Sequence, residues 1–299
     1  MRPTFLIIGA MKSGTTALYE LMGQHPDVFM SPVKEPNYFA FAGRDLDFRA
    51  PIDRRPEGIN NASITDWDAY TALFEAADPE QARGEASHTS LYWPDAAENI
   101  RRRVPDARLV AILRNPVERA YSEYMHFRRD GDEPIADFEA ALDAEERRIE
   151  DHWALGRYVD RGRYDEQLRR YVERFDREQL CIFLHEDLVE DAASVARQAF
   201  EHVGVDPGVE LREDRRVNKS GVPEHRWVHR GLQALQPVKE ALAPVIPQGL
   251  VDWANRLKNS NLQKPEMRPA TRRRLIETYR PHVRRLESII DRDLSHWLD

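Results

Sequence analysis

The sequence predicts an α/β protein with a parallel β-sheet and helices on both faces. Three observations predict it. Strand-length apolar runs recur at Phe5–Ile8, Arg108–Leu113 and Leu180–Leu184. Segments of helical period follow them at Ala17–Met22, Val117–Met125 and Ala192–Val203. No Gly/Ser-rich linker divides the chain, so residues 1–299 read as one domain.

The first strand–helix pair carries the strongest signal. Between Phe5–Ile8 and Ala17–Met22 lies Gly9-Ala-Met-Lys-Ser-Gly-Thr-Thr16. A turn of this kind aims several backbone N–H groups at one spot, where the helix dipole also favours negative charge. With Lys12, Ser13, Thr15 and Thr16 added, the loop reads as a phosphate cradle. It departs from G-x-x-x-x-G-K-[ST], in which the lysine follows the second glycine. Here Gly9 and Gly14 keep the separation, but Thr15 follows Gly14 and the lysine comes earlier.

Asp27–Met30 reads as an extended segment. Gly43–Asp66 shows no clear period and reads as a functional loop or lid. Trp67–Ala76 reads as a helix, and Ala82–Ser87 leads back towards the site.

Arg108–Leu113 is a second parallel strand, ending in Arg114-Asn-Pro116. Asn115 suits an N-cap and Pro116 the first helical position. A nucleotide hydrolase would place an acidic magnesium ligand at such a strand end. An arginine there suits a second, separate phosphate and needs no metal. Ser122, two turns on, adds a hydroxyl donor.

Beyond this point Glu139–Glu150 reads as a solvated charged helix. Tyr164, Leu168, Tyr171 and Phe175 fall at near-helical spacing and read as core. Val205–Glu224 is loop-rich, and residues 222–264 form a moderately apolar helical insert, read as acceptor-side packing.

Composition sets limits. A net charge of −8 argues against a nucleic-acid partner. Cys181 is the single cysteine, so neither an intrachain disulfide nor a cysteine metal cluster forms, and it reads as core. No apolar stretch reaches 18 residues, and the chain enters its first strand within four residues; the expectation is a cytoplasmic protein without a transmembrane segment or signal peptide.

Taken together, the two phosphate motifs resemble the 5′-phosphosulfate loop and 3′-phosphate motif of sulfotransferases that use 3′-phosphoadenosine 5′-phosphosulfate (PAPS). The likeness is closest to the branch containing bacterial sulfotransferases and the domains that modify heparan sulfate. Pro32-Val-Lys-Glu-Pro-Asn-Tyr-Phe39, Gly84-Glu-Ala-Ser87 with Leu91-Tyr92, Gly162-Arg-Tyr164, Phe183–Leu188, Phe200–Val205 and a closing helix over Pro269–Trp297 follow in order. The resemblance implies a P-loop-like sulfotransferase fold and a transferase moving a sulfuryl group to an acceptor hydroxyl, less readily an amine. The acceptor would be a small molecule, a lipid or a saccharide.

By the same resemblance, Lys12, Ser13, Gly14, Thr15 and Thr16 would hold the 5′-phosphosulfate. Arg114 and Ser122 would hold the 3′-phosphate. Glu35 would be the general base, and Arg215, Asn218, Lys219, Ser220 and Gly221 belong to a loop that closes over the nucleotide. His88 is a competing base, because the cytosolic branch uses histidine; its plain alternative is a structural histidine. Ala86 stands where the heparan-modifying enzymes tend to carry a lysine, which counts against a polysulfated glycan acceptor. PAPS is the co-substrate, 3′-phosphoadenosine 5′-phosphate (PAP) the product, and no metal is implied. The alternatives are a nucleotide or small-molecule kinase, and a nucleotide-sensing or scaffold protein with a degenerate site.

Overall fold

Five parallel strands form a sheet in the order β2-β3-β1-β4-β5: Val28–Met30, Ala82–Ala86, Phe5–Gly9, Arg108–Leu113 and Leu180–Leu184. The computed structural model describes residues 1–49, 57–79, 81–212, 222–223, 262–263 and 266–299. Alternation within each apolar run decides which face each side chain takes. In β1, Phe5 and Ile7 face one side while Leu6 and Ile8 face the other; in β4, Val110 and Ile112 oppose Leu109, Ala111 and Leu113. Both faces are apolar, so both require covering helices.

On the first face lie α1 (Thr15–Met22) and, late in the chain, Ala192–Val203. The other face carries most of the helices. After α1 come α2 (Tyr38–Phe41), α3 (Glu57–Ala62), α4 (Trp67–Ala72), α5 (Thr89–Tyr92), α6 (Ala96–Arg103) and α7 (Pro116–Asp130). Then follow α8 (Phe138–Asp143), α9 (Glu145–Glu150), α10 (Tyr164–Val172), α11 (His185–Glu190), α12, which is the Ala192–Val203 helix, and α13 (Pro269–Ile290). A short antiparallel pair joins β6 (Val222–Pro223) to β7 (Leu262–Gln263). The rest of the expected 222–264 insert lies outside the described residues.

Several expectations need correction. The Gly43–Asp66 segment contains a helix, α3. Glu139–Glu150 is two helices meeting at Ala144, and it is not simply solvated: Glu145 and Arg148 are buried. Arg148 makes two hydrogen bonds to Glu133, at 2.7 and 2.8 Å. Glu145 accepts the N–H groups of Val159 and Asp160 at 2.7 Å each, and burial still pushes its carboxyl up to about 7. The closing helix stops at Ile290, and a separate 3₁₀ turn, Ser295–Leu298, buries Trp297.

Gly84 and Gly14 are sterically required. Gly84 lies under the ring of Phe5, where a Cβ would meet Cζ at 2.0 Å. Gly14, with φ +111°, caps α1 in a left-handed conformation that side chains rarely adopt.

Candidate active site

Four adjacent strands deliver the site. The loop after β1 carries Lys12, the segment after β2 carries Glu35, the turn after β3 carries His88 and the end of β4 carries Arg114. All lie at the carboxyl edge of the sheet, the ligand-binding edge of an open α/β fold.

Backbone bonds shape the loop after β1. Ala10 N–H donates to Ile112 O at 2.7 Å and Ser13 N–H to Ala10 O at 3.2 Å. Gly14, the N-cap of α1, offers no side-chain acceptor, so among the described residues no side chain caps the first N–H groups of that helix. Ser13 is buried beside the phenol of Tyr164. Lys12, itself at φ +62°, makes no ion pair among the described residues. Burial, then the Arg129 guanidinium and further off Arg114, lower its ammonium to about 8, against the pull of Asp130 and Glu123. An anion arriving beside it would reverse that shift.

At the end of β4, Asn115 caps α7 by accepting from Val117 N–H at 3.0 Å, and Pro116 takes the first helical position, as the sequence predicts. Arg114 donates to Lys12 O at 3.2 Å, which joins the two phosphate motifs. Burial holds its guanidinium below the usual range, and it makes no ion pair among the described residues. The Ser122 hydroxyl is buried, with no hydrogen-bond partner among the described residues. A buried, unsatisfied donor costs about 1–3 kcal/mol. A phosphate oxygen would supply what Ser122 and Arg114 lack, so these residues fit an anionic group.

The third component is the loop after β2. Glu35 and Asn37 both adopt left-handed conformations, with φ of +60° and +58° around Pro36. Such residues cost about 1–3 kcal/mol each and need external support. Glu35 N–H donates to Ala86 O at 3.0 Å, and Asn37 N–H donates to Ser87 Oγ at 3.0 Å. Lys34 Nζ lies 2.6 Å from Glu35 Oε1, while His88 N–H donates to Oε2 at 2.9 Å. Burial raises the Glu35 carboxyl, but His88, Lys34 and the bonds from both outweigh it, and the net shift is downward. Burial lowers the His88 ring, with Arg161 and Lys34 adding to the effect and Glu35 opposing it. The pair therefore rests as a carboxylate beside a neutral imidazole.

Sequence reasoning missed the charges behind the phosphate loop. Glu123 is fully buried between two arginines, with Oε2 at 2.5 Å from Arg119 and Oε1 at 2.7 Å from Arg161. The same Arg161 nitrogen reaches Met11 Sδ at 2.8 Å, directly before Lys12. The i, i+4 spacing of Arg119 and Glu123 was the available signal; nothing local points to Arg161. Trp297 was also missed: its carbonyl accepts from Asn115 Nδ2 at 3.2 Å, and its indole donates to Glu186 at 2.7 Å. Arg215, Asn218, Lys219, Ser220 and Gly221 lie outside the described residues.

The profile of the sulfotransferase family matches residues 3–208. Human carbohydrate sulfotransferase 15 is 25% identical over 285 residues, covering 80% of this chain and 50% of its own. Human bifunctional heparan sulfate N-deacetylase/N-sulfotransferase 3 is 30% identical over 213 residues, covering 69% of this chain and 22% of its own. This chain thus spans half or less of these curated relatives. A crystal structure of a sulfotransferase from Alicyclobacillus acidocaldarius aligns over 100% of both chains, at 33% identity and a TM-score of 0.78.

Proposed function

The chain belongs to the sulfotransferase family, and on that premise we propose that it moves the sulfuryl group of PAPS to an acceptor hydroxyl by in-line displacement. The observation that carries this reading is the pairing of Lys12 and Arg114 on adjacent strand ends. Both are cations without an ion pair among the described residues, and each has a buried serine hydroxyl nearby in sequence. Two separated anionic groups on one nucleotide match that arrangement. The kinase alternative is overturned by the family match, and Arg114 follows β4 where a magnesium ligand would be required.

In the proposed step the acceptor oxygen attacks sulfur while the bond from sulfur to the bridging phosphate oxygen breaks. The acceptor proton passes to the Glu35 carboxylate. Lys12 and the α1 N–H groups meet the charge that grows on the leaving phosphate; such preorganised donors are often the largest contribution to catalysis. Arg114 and Ser122 fix the far end of the nucleotide, which makes the attack unimolecular in effect. Lys34 must release Glu35 as the acceptor hydroxyl arrives. His88 serves through its backbone N–H, which orients the base.

The two curated relatives above carry carbohydrate and heparan sulfate in their names, which favours a saccharide over a small-molecule or lipid acceptor. Cytoplasmic location belongs to the same proposal; no helix among the described residues is long and apolar enough to cross a membrane. The decisive experiment has two arms. Calorimetric titration should show PAP binding far tighter than AMP. Radiolabelled sulfate from PAPS should then appear on an acceptor in a cell extract. Equal affinity for PAP and AMP would refute the reading.

A further inference from the structure

Beneath the base loop lies a carboxyl group that the transfer step does not use. Glu85, on β3, is 1% exposed, and its Oε2 accepts from Ser87 Oγ at 2.7 Å. Ser87 Oγ in turn accepts the N–H of Asn37 at 3.0 Å. A serine hydroxyl has one proton to give. Spending it on Glu85 turns the oxygen's lone pairs towards Asn37, so Glu85 sets the orientation that receives the loop. Asn37 is one of the two left-handed residues that bracket Pro36. Its side chain is fixed as well, accepting from Thr89 Oγ1 at 2.7 Å and donating to Ser63 Oγ at 3.0 Å.

We propose that Glu85, acting through the Ser87 hydroxyl, is a positioning residue that holds the strained Lys34–Asn37 loop with Glu35 at the transfer site. The inference rests on the reading of Glu35 as the base.

The chemical state of Glu85 suits that task. Burial pushes its carboxyl up to about 8; the Ser87 bond opposes this, nearby Glu35 adds to it and Lys34 lowers it. The phenols of Tyr70 and Tyr171 also feel Glu85, and burial pushes both upward, so they are neutral as well. At neutral pH Glu85 is thus an uncharged acceptor. It can orient Ser87 without setting a second anion beside Glu35, where like charge would alter the base.

The test compares Glu85→Gln with Ser87→Ala. Glutamine keeps an uncharged oxygen acceptor in the same place, so turnover at pH 7 should stay within about twofold of wild type. Ser87→Ala removes the link and should lower kcat by about 10- to 100-fold, the scale of a small misplacement of a reacting group. Its affinity for PAP should be unchanged, and amide exchange over residues 34–38 should accelerate. Melting curves confirm that each variant is folded. Glu35→Gln, measured alongside, tests the base reading separately: normal turnover in that variant refutes the base whatever the loop does. Wild-type kcat and wild-type exchange in Ser87→Ala overturn the inference, as does a Glu85→Gln enzyme as impaired as Ser87→Ala.

Discussion

The backbone N–H of His88 donates to Glu35 Oε2 at 2.9 Å, while the His88 ring nitrogen Nε2 stands 3.7 Å from the same oxygen. The histidine thus contributes its main chain to the proposed base, and its ring stands outside hydrogen-bond range. Glu35→Gln should lower turnover by about 10²–10⁴-fold with PAP affinity retained. His88→Ala keeps the backbone donor and should lower it far less. Steady-state kinetics with PAP titrations measure both, and the opposite ranking would assign the base to His88.

Lys34 should tune that base. Its ammonium and its hydrogen bond help hold Glu35 below the ordinary carboxylate range. Lys34→Ala should therefore raise the Glu35 value and move the acid limb of kcat/KM to higher pH. A limb that stays in place, or moves down, would show that Lys34 does not set the basicity of Glu35.

Lys12→Ala and Ser122→Ala should separate chemistry from recognition. The first should cut turnover severely, with a smaller loss of PAP affinity. The second should weaken PAP and leave AMP binding unchanged, because only the 3′-phosphate needs the orphaned hydroxyl. The loss should be about 1–3 kcal/mol. Calorimetry with both nucleotides reads the difference.

Stability should depend on pH through Glu85. The folded chain holds its proton up to about 8, against 4.5 for an ordinary glutamate. Between those values the folded state binds more protons than the unfolded state, so Glu85 makes stability fall as pH rises through that window and level off above it. Glu85→Gln removes this slope. Its melting temperature should therefore gain on wild type from pH 5 to pH 8; a constant difference would show that Glu85 is ionised throughout.

Removing Glu123 should be costly. Glu123→Ala leaves Arg119 and Arg161 buried without a counter-charge, a loss of about 3–5 kcal/mol. Urea denaturation measures it. A loss below about 1 kcal/mol would mean that other groups compensate both arginines.

Local patterns made much of this molecule readable before the structure. Phe5–Ile8 and residues 109–113 are buried on both faces, so each appears as an unbroken apolar run, and the capping pair Asn115–Pro116 marks its helix directly. The core positions Tyr164, Leu168, Tyr171 and Phe175 were legible because one helical face repeats. What stayed hidden depends on distant chain segments. Arg161 meets Glu123 across 38 residues, and the Trp297 carbonyl meets Asn115 across 182. Glu145 and Arg148 looked solvated because nothing in their charged surroundings shows which face turns inward. The balance at Glu35 was also beyond the sequence, since burial and two neighbours act there in opposite directions and only geometry says which wins.

The strand order has one further consequence. Neighbouring strands lie about 4.8 Å apart, and in the proposed reaction β2 and β3 carry the base side while β1 and β4 carry the donor side. The sheet itself therefore sets the reach from leaving group to base. Loops on the β2 flank are free to diversify without loosening the nucleotide grip. Grafting the 30–42 segment of a relative onto this chain should carry over acceptor preference while affinity for PAP stays as it was.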